Sequence, residues 1–372
     1  MSRRYRLPAG RADVDGDETM TTRVPAVSKV QAVVMYPPAM EESDLYELHR
    51  RFPGVQFHNI GYFEPHGLRD AKAKGRVTEE VLATAPPLTE QERETIADAE
   101  LLMALDLPHG IREWAPRLRW VQAIGAGIGQ LEPAKLKAEG IALTNAAGVA
   151  STPIAEFVIG RLLEVWKDIR VLERQQRSHI WEMHQGLLVK GKTMGIVGLG
   201  AIGRDVARRA RAFEMTILAN RRSAQPGDTD PDADELFGPE GLDEMLSRSD
   251  AVVLCAPHTP ETIDLFDAQR LRRLKPGAVL VNVGRGSMID EAALVSSLES
   301  GHLGAAVLDV TREEPLPADS PLWDAPNMYL SPHCSTASEG YNEALMELFC
   351  DNLERFLAEE PLRNVVDPDR GY

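Results

Sequence analysis

The 372-residue chain carries only three cysteines, Cys255, Cys334 and Cys350, and none stands in a CxxC pair. That spacing excludes a disulfide scaffold and a thiolate zinc site, and it points to a reducing, cytoplasmic setting. No apolar run approaches the ~18 residues of a membrane-spanning helix. The opening MSRRYRLPAGR has no apolar stretch of ~7–15 residues behind it, as a secretory signal would. Excess positive charge is also missing, because 41 Lys+Arg face 57 Asp+Glu for a formal net charge of −16. Nucleic acid and anionic membranes are disfavoured as partners, since polyphosphates select for excess Lys and Arg. A local basic site for a small anion stays open.

What is present is ordinary globular composition, with 43% hydrophobic and 26% charged residues. The length suits about two domains of ~150–200 residues. Residues 1–28, polar and dotted with Pro, Gly, Asp and Arg, read as a mobile extension. Beyond them, strand-like runs at Val30–Tyr36, Gly54–His58, Leu101–Leu105, Leu118–Ile124 and Ile141–Asn145 alternate with helical patterns at Met40–Arg51 and Leu88–Ala99. One long helical pattern runs from Thr152 to about Arg177. Six further strands are expected at Met194–Gly198, Met215–Asn220, Ala251–Ala256, Ala278–Val283, Ala305–Asp309 and Met328–Leu330. Helices are expected near Ile202–Phe213, Gly241–Ser247, Asp267–Leu274 and Glu291–Glu299 between them. Such alternation predicts a doubly wound parallel sheet, and Tyr341–Glu359 predicts a closing amphipathic helix.

Gly198-Leu-Gly200-Ala201-Ile202-Gly203 follows a predicted strand and opens a predicted helix. In that context the glycines allow a tight turn (Gly198), close approach of a pyrophosphate (Gly200) and close helix packing (Gly203). The first N–H groups of the helix then face the phosphates. NAD sites place an acid at the end of the second strand, where it accepts from the ribose 2′-hydroxyl. Here the strand ends in Asn220-Arg221-Arg222-Ser223, with no carboxylate. Two guanidiniums and a hydroxyl suit a 2′-phosphate, so NADPH is expected over NADH. Immediately afterwards Ala224–Leu246 holds eight acids and no Lys or Arg, which reads as a solvated loop.

Three segments lie after later strands: Val281-Asn-Val283-Gly-Arg285-Gly286, Leu308-Asp309 through Glu313-Glu314-Pro315, and Leu330-Ser-Pro332-His333. In open α/β sheets ligands bind beyond the carboxyl ends of strands. Each segment alone has a structural explanation. Together with Arg119-Trp120 through Gly125-Ala126-Gly127, Asn145 through Glu156, Gly191 through Gly200, and Ala256-Pro257 through Thr262, the chain resembles the D-isomer-specific 2-hydroxyacid dehydrogenase family over roughly residues 100–340. Its branch similarity is to NADP-preferring glyoxylate/hydroxypyruvate reductases.

The resemblance implies two Rossmann-like or flavodoxin-like parallel-sheet domains with a cleft between them. The substrate domain would comprise 29–148 plus 337–372, and the dinucleotide domain, 149–336, would be inserted in it. It implies Arg285, Glu314 and His333 as the catalytic trio, with Glu314 preferred over Glu313. His333 would give a proton, Glu314 would favour its imidazolium form, and Arg285 would hold the substrate carboxylate and polarise the carbonyl. Gly125, Ala126 and Gly127 would offer backbone N–H groups to the same carboxylate. Cofactor contacts are implied at Pro257, Thr262, Val283, Asp309 (toward the nicotinamide amide) and Ser335, and a homodimer is implied through the dinucleotide domain. The expected activity is reduction of a small 2-keto acid to the D-hydroxy acid. An NAD(H)-linked D-2-hydroxyacid or phosphoglycerate dehydrogenase is the alternative within the enzymes. A nucleotide-sensing corepressor is the alternative outside them.

Overall fold

The computed structural model describes residues 29–35 and 40–368. The extension expected at 1–28, and Tyr36 at the end of the first strand, lie outside the described residues. The chain divides into two compact units: one runs to Val149 and resumes at Gly340, and the other spans Ala150–Glu339.

In the first unit β1 (Val30–Met35), β2 (Val55–Asn59), β3 (Leu101–Ala104), β4 (Trp120–Ala123) and β5 (Ala142–Thr144) form a sheet of order β2-β1-β3-β4-β5. All its pairings are parallel. The strands are short apolar runs because both sheet faces are covered. Along β3, Leu102 and Ala104 enter one core cluster, whereas Leu101 and Met103 enter the other, the two-residue alternation of a strand. The second cluster is closed by the helix Tyr341–Leu357, which contributes Leu345, Met346, Phe349, Cys350 and Leu353. Its Phe349 ring stacks on Trp120 at 5.8 Å. The Trp120 indole N–H donates to Thr144 Oγ1 at 2.8 Å, so the buried ring leaves no polar atom unmet.

Past β2 and β3 the same unit buries an ion pair. Lys72 Nζ donates to both Glu64 carboxylate oxygens (3.1 and 2.9 Å) and to the Leu107 carbonyl (2.6 Å), with side chains 1% and 0% exposed. The Tyr62 hydroxyl donates to Glu64 as well.

The second unit holds β6 (Thr193–Val197), β7 (Thr216–Asn220), β8 (Glu235–Phe237), β9 (Ala251–Leu254), β10 (Val279–Asn282), β11 (Ala305–Leu308) and β12 (Met328–Leu330). Their order is β12-β11-β10-β9-β6-β7-β8, again all parallel. The order in which strands are added reverses between β6 and β9, the switch point where α/β folds bind ligands.

Three expectations change. A seventh strand, β8, lies inside the acidic run, paired with β7 at the sheet edge. The long helical pattern breaks into Ser151–Trp166 and Ile169–Arg177, because Asp168 adopts a left-handed conformation (φ 52°) and its carboxylate bonds His184 at 2.8 Å. The helix expected at Asp267–Leu274 shrinks to Ala268–Leu271, with Asp267 outside it as the N-cap acceptor for the Arg270 N–H. Among the described residues no helix is long and apolar enough to cross a membrane.

Candidate active site

The glycine turn sits at the switch point. Gly198 has φ +102°, and a Cβ there would lie 2.7 Å from the Ala256 nitrogen. A Cβ at Gly203 would lie 2.3 Å from the Gly198 carbonyl oxygen, so the helix Ala201–Ala212 can approach its strand only without a side chain. A Cβ at Gly200, by contrast, would meet no atom of the described residues within 4 Å. Open space therefore faces the N-terminus of this 12-residue helix, where the first N–H groups, those of Ala201, Ile202 and Gly203, have no intrahelical acceptor. That cradle fits a dinucleotide pyrophosphate. Behind it Cys255 donates from Sγ to the Gly198 carbonyl at 3.0 Å, and burial pushes its thiol up to about 12.

Asn220, the last residue of β7, is buried and its amide donates to the Gly238 carbonyl at 2.7 Å. The following Arg222 and Ser223 are exposed. Arg221 is half-buried, with Nη1 3.2 Å from Asp230 Oδ2 and a buried Nε that finds no hydrogen-bond partner among the described residues. This overturns the solvated-loop reading for part of the acidic run. Asp230 accepts two bonds from Arg204, both 2.7 Å, and Asp232 accepts a third at 2.8 Å. Asp234 caps the Ile217 N–H at 2.7 Å. The run has no base of its own, but Arg204, Arg208 and Arg211 of the helix Ala201–Ala212 pair with its acids.

The candidate trio lies on three loops beyond β10, β11 and β12. Asn282, fully buried at the end of β10, accepts from the Gly284 N–H (3.0 Å) and donates to the Arg285 carbonyl (2.9 Å), which shapes the turn that presents Arg285. The Arg285 side chain is half-buried, and its Nη1 donates to the Gly284 carbonyl at 2.7 Å. Burial lowers its pKa, and the Glu314 charge opposes that shift. Gly286 passes so close to the next loop that a Cβ there would lie 2.0 Å from the Thr311 carbonyl carbon.

Asp309, 1% exposed, anchors the loop after β12. Its carboxylate accepts from Ser331 Oγ (2.7 Å), the Cys334 N–H (3.0 Å) and the Ser335 N–H (3.0 Å), and its carbonyl accepts from the His333 N–H at 2.8 Å. His333 is thereby held at φ +51°, a left-handed turn that a non-glycine residue seldom adopts. Its Nδ1 stands 2.8 Å from Glu314 Oε2, and Glu314 Oε1 accepts from the Thr311 N–H at 3.1 Å. Glu313 is exposed, and its carbonyl accepts from Thr311 Oγ1. Burial pushes the Glu314 carboxyl up, but the His333 hydrogen bond and charge, the Thr311 N–H and Arg285 together hold it below the usual carboxylate range.

Thr262 Oγ1 donates to the Pro257 carbonyl at 2.9 Å, tying together the loop after β9, and Val283 is buried. His258 bonds Ser287 Oγ at 2.9 Å; burial and the Arg285 charge lower its pKa. Gly125, Ala126 and Gly127 belong to the other unit, directly beyond β4. There the Gly125 and Ala126 carbonyls accept from the Ala146 N–H and the Asn145 amide. Sequence reasoning missed Arg204, Asp230 and Asn282, and it gave Asp309 no part in holding the His333 turn. Among the described residues no group of three His, Cys, Asp or Glu side chains converges to hold a metal ion.

Residues 159–335 match the family described as D-isomer specific 2-hydroxyacid dehydrogenase, NAD binding domain. The glyoxylate reductase of Korarchaeum cryptofilum is 33% identical over 294 residues, covering 77% of this chain and 88% of that protein. The glyoxylate/hydroxypyruvate reductase B of Citrobacter koseri is 34% identical over 295 residues, covering 76% and 89%. Among solved structures, the NADPH-dependent glyoxylate/hydroxypyruvate reductase of Sinorhizobium meliloti, in complex with NADP and sulfate, has a TM-score of 0.72. It is 26% identical, and the match covers 92% of this chain and 100% of that one. With two parallel-sheet domains and a glycine turn shaped for a dinucleotide, the chain belongs to the D-isomer specific 2-hydroxyacid dehydrogenase family and is an NAD(P)-dependent oxidoreductase.

Proposed function

We propose that this enzyme reduces a small 2-keto acid of the glyoxylate or hydroxypyruvate kind to the D-2-hydroxy acid, with NADPH preferred and NADH accepted. The observation that carries the reading is the 2.8 Å contact between His333 Nδ1 and Glu314 Oε2, on loops beyond the carboxyl ends of adjacent strands. When bound, the nicotinamide supplies a hydride to the carbonyl carbon of the substrate. His333 gives the accompanying proton to the carbonyl oxygen from Nε2, the nitrogen that Glu314 does not engage. Glu314, ionised because its carboxyl lies below the usual range, holds the Nδ1–H and stabilises the imidazolium. Arg285 holds the substrate carboxylate and polarises the carbonyl. The relatives' names support the substrate class, and the Arg221-Arg222-Ser223 corner supports the 2′-phosphate.

We also propose a homodimer through the dinucleotide unit. Trp181 (102% exposed), Met183 and Leu188 lie bare in that unit. An open groove of about 390 Å³ in the same unit is lined by Ile159, Gly160, Leu163, Ala212 and Phe213, with the Glu156–Arg209 ion pair also on its wall.

Steady-state kinetics on a panel of 2-keto acids with both cofactors test the reading. Replacing both Arg221 and Arg222 by alanine should raise KM for NADPH far more than KM for NADH. His333→Ala should collapse kcat while cofactor affinity survives. Equal effects on the two cofactors would refute the phosphate assignment, and unchanged turnover would refute the proton donor.

A further inference from the structure

Asp230 lies outside the reacting centre, and its chemistry bears on cofactor choice. Its side chain is 5% exposed. One carboxylate serves two guanidiniums: Arg204 bidentately at 2.7 Å on each oxygen, and Arg221 at 3.2 Å. The Asp232 N–H donates to Oδ1 at 3.1 Å, so the group is pinned from a third direction. The charged groups on it are Arg204 from the helix Ala201–Ala212 and Arg221 from the corner after β7, while Arg204 and Arg208 also pair with the neighbouring Asp232. Asp230 therefore places a fixed negative charge against Arg221, the charge type a 2′-phosphate would bring.

We infer that Asp230 is the residue that moderates discrimination between NADPH and NADH, by acting as an internal substitute for the 2′-phosphate beside Arg221. The inference rests on the reading that Arg221 and Arg222 meet that phosphate. With Asp230 in place, Arg221 keeps a counter-charge when the ribose carries only a hydroxyl, so NADH binds without stranding a half-buried cation. An arriving phosphate meets a guanidinium already shared, and like charge from Asp230 offsets part of the attraction. Arg204 keeps the carboxylate from turning wholly toward Arg221.

The two residues therefore have opposite effects. Asp230→Asn keeps the shape and the Asp232 N–H contact while removing the charge, so Arg221 gives its full charge to the ligand. Arg204→Met removes the bidentate partner and leaves Asp230 on Arg221 alone. The probes are adenosine 2′,5′-bisphosphate and adenosine 5′-monophosphate, which differ by the 2′-phosphate alone. They are titrated calorimetrically into the full-length protein at fixed salt, with thermal melts to confirm folding. The affinity ratio between them should rise about tenfold in Asp230→Asn and fall about tenfold in Arg204→Met. A ratio unchanged or lowered in Asp230→Asn would overturn the role of Asp230 and reduce it to a loop tether. If Asp230→Asn does not fold, an Arg204→Met ratio that fails to fall overturns it equally. A wild-type ratio of one would overturn the phosphate reading itself, and this inference with it.

Discussion

Gly286→Ala tests whether the candidate trio works as a rigid unit. The added methyl would lie 2.0 Å from the Thr311 carbonyl carbon, 2.1 Å from its oxygen and 2.5 Å from the Arg312 nitrogen. Carbon atoms meet comfortably at about 3.5 Å, so the two loops must part by roughly 1.5 Å. Every obstructing atom is backbone, and no side chain can swing aside to absorb the shift. One loop starts at Arg285, and the other leads from Thr311, whose N–H holds Glu314, to the partner of His333. The separation therefore displaces Arg285 from the Glu314–His333 pair by about an ångström. Misplacement on that scale costs on the order of 10²-fold in turnover, while overpacking costs about 1–3 kcal/mol of stability. Steady-state kinetics at saturating cofactor should show kcat falling about 10²-fold. Cofactor affinity should hold, because the Gly198–Gly203 turn lies on a different strand end. Thermal melting should still show a folded protein. Wild-type kcat in a folded Gly286→Ala variant would refute the reasoning.

Two further predictions concern stability and assembly. Lys72→Met strips the buried Glu64 of its only cationic hydrogen-bond donor among the described residues and should cost about 3–5 kcal/mol in chemical denaturation. The double variant Lys72→Met/Glu64→Leu should recover most of that, and a single variant as stable as wild type would sink the argument. Trp181→Ser should weaken the proposed dimer by at least tenfold in sedimentation equilibrium at micromolar protein. A wild-type chain that sediments as a monomer under those conditions would end that proposal.

What the sequence disclosed and what it hid divide along physical lines. Buried parallel strands such as AVVL at Ala251–Leu254 and VLVN at Val279–Asn282 are continuous apolar runs, so they could be read directly. β8 could not: it is three residues, Glu235-Leu-Phe, in an acidic stretch at a sheet edge, and only its pairing with β7 makes it a strand. The break at Asp168 was hidden for a similar reason, since the apolar spacing continues past it and the turn depends on His184, sixteen residues away. In the site, Gly198, Gly200 and Gly203 announced themselves because the chemistry is in the backbone. Asp230 did not, because its arginine partners come from a helix more than twenty residues earlier and from the preceding strand end. Asn282 was similarly opaque, and so was the part Asp309 plays in holding the His333 turn, although Asp309 itself was singled out: both orient loops through hydrogen bonds, which leaves no periodic trace.

The route of the chain also has a consequence for synthesis. The Trp120 face of the five-stranded sheet is completed by Leu345, Phe349 and Leu353, yet the whole Ala150–Glu339 unit is translated in between. At ribosomal rates of about 5–20 residues per second, that delay is roughly 10–40 s. For that interval the nascent first unit holds an apolar face with its covering helix still unmade, while the second unit, contiguous in sequence, can finish on its own. The vulnerable species in the cell is thus a half-sheathed N-terminal sheet on the ribosome. Truncation within Tyr341–Leu357 should strand the protein in that state.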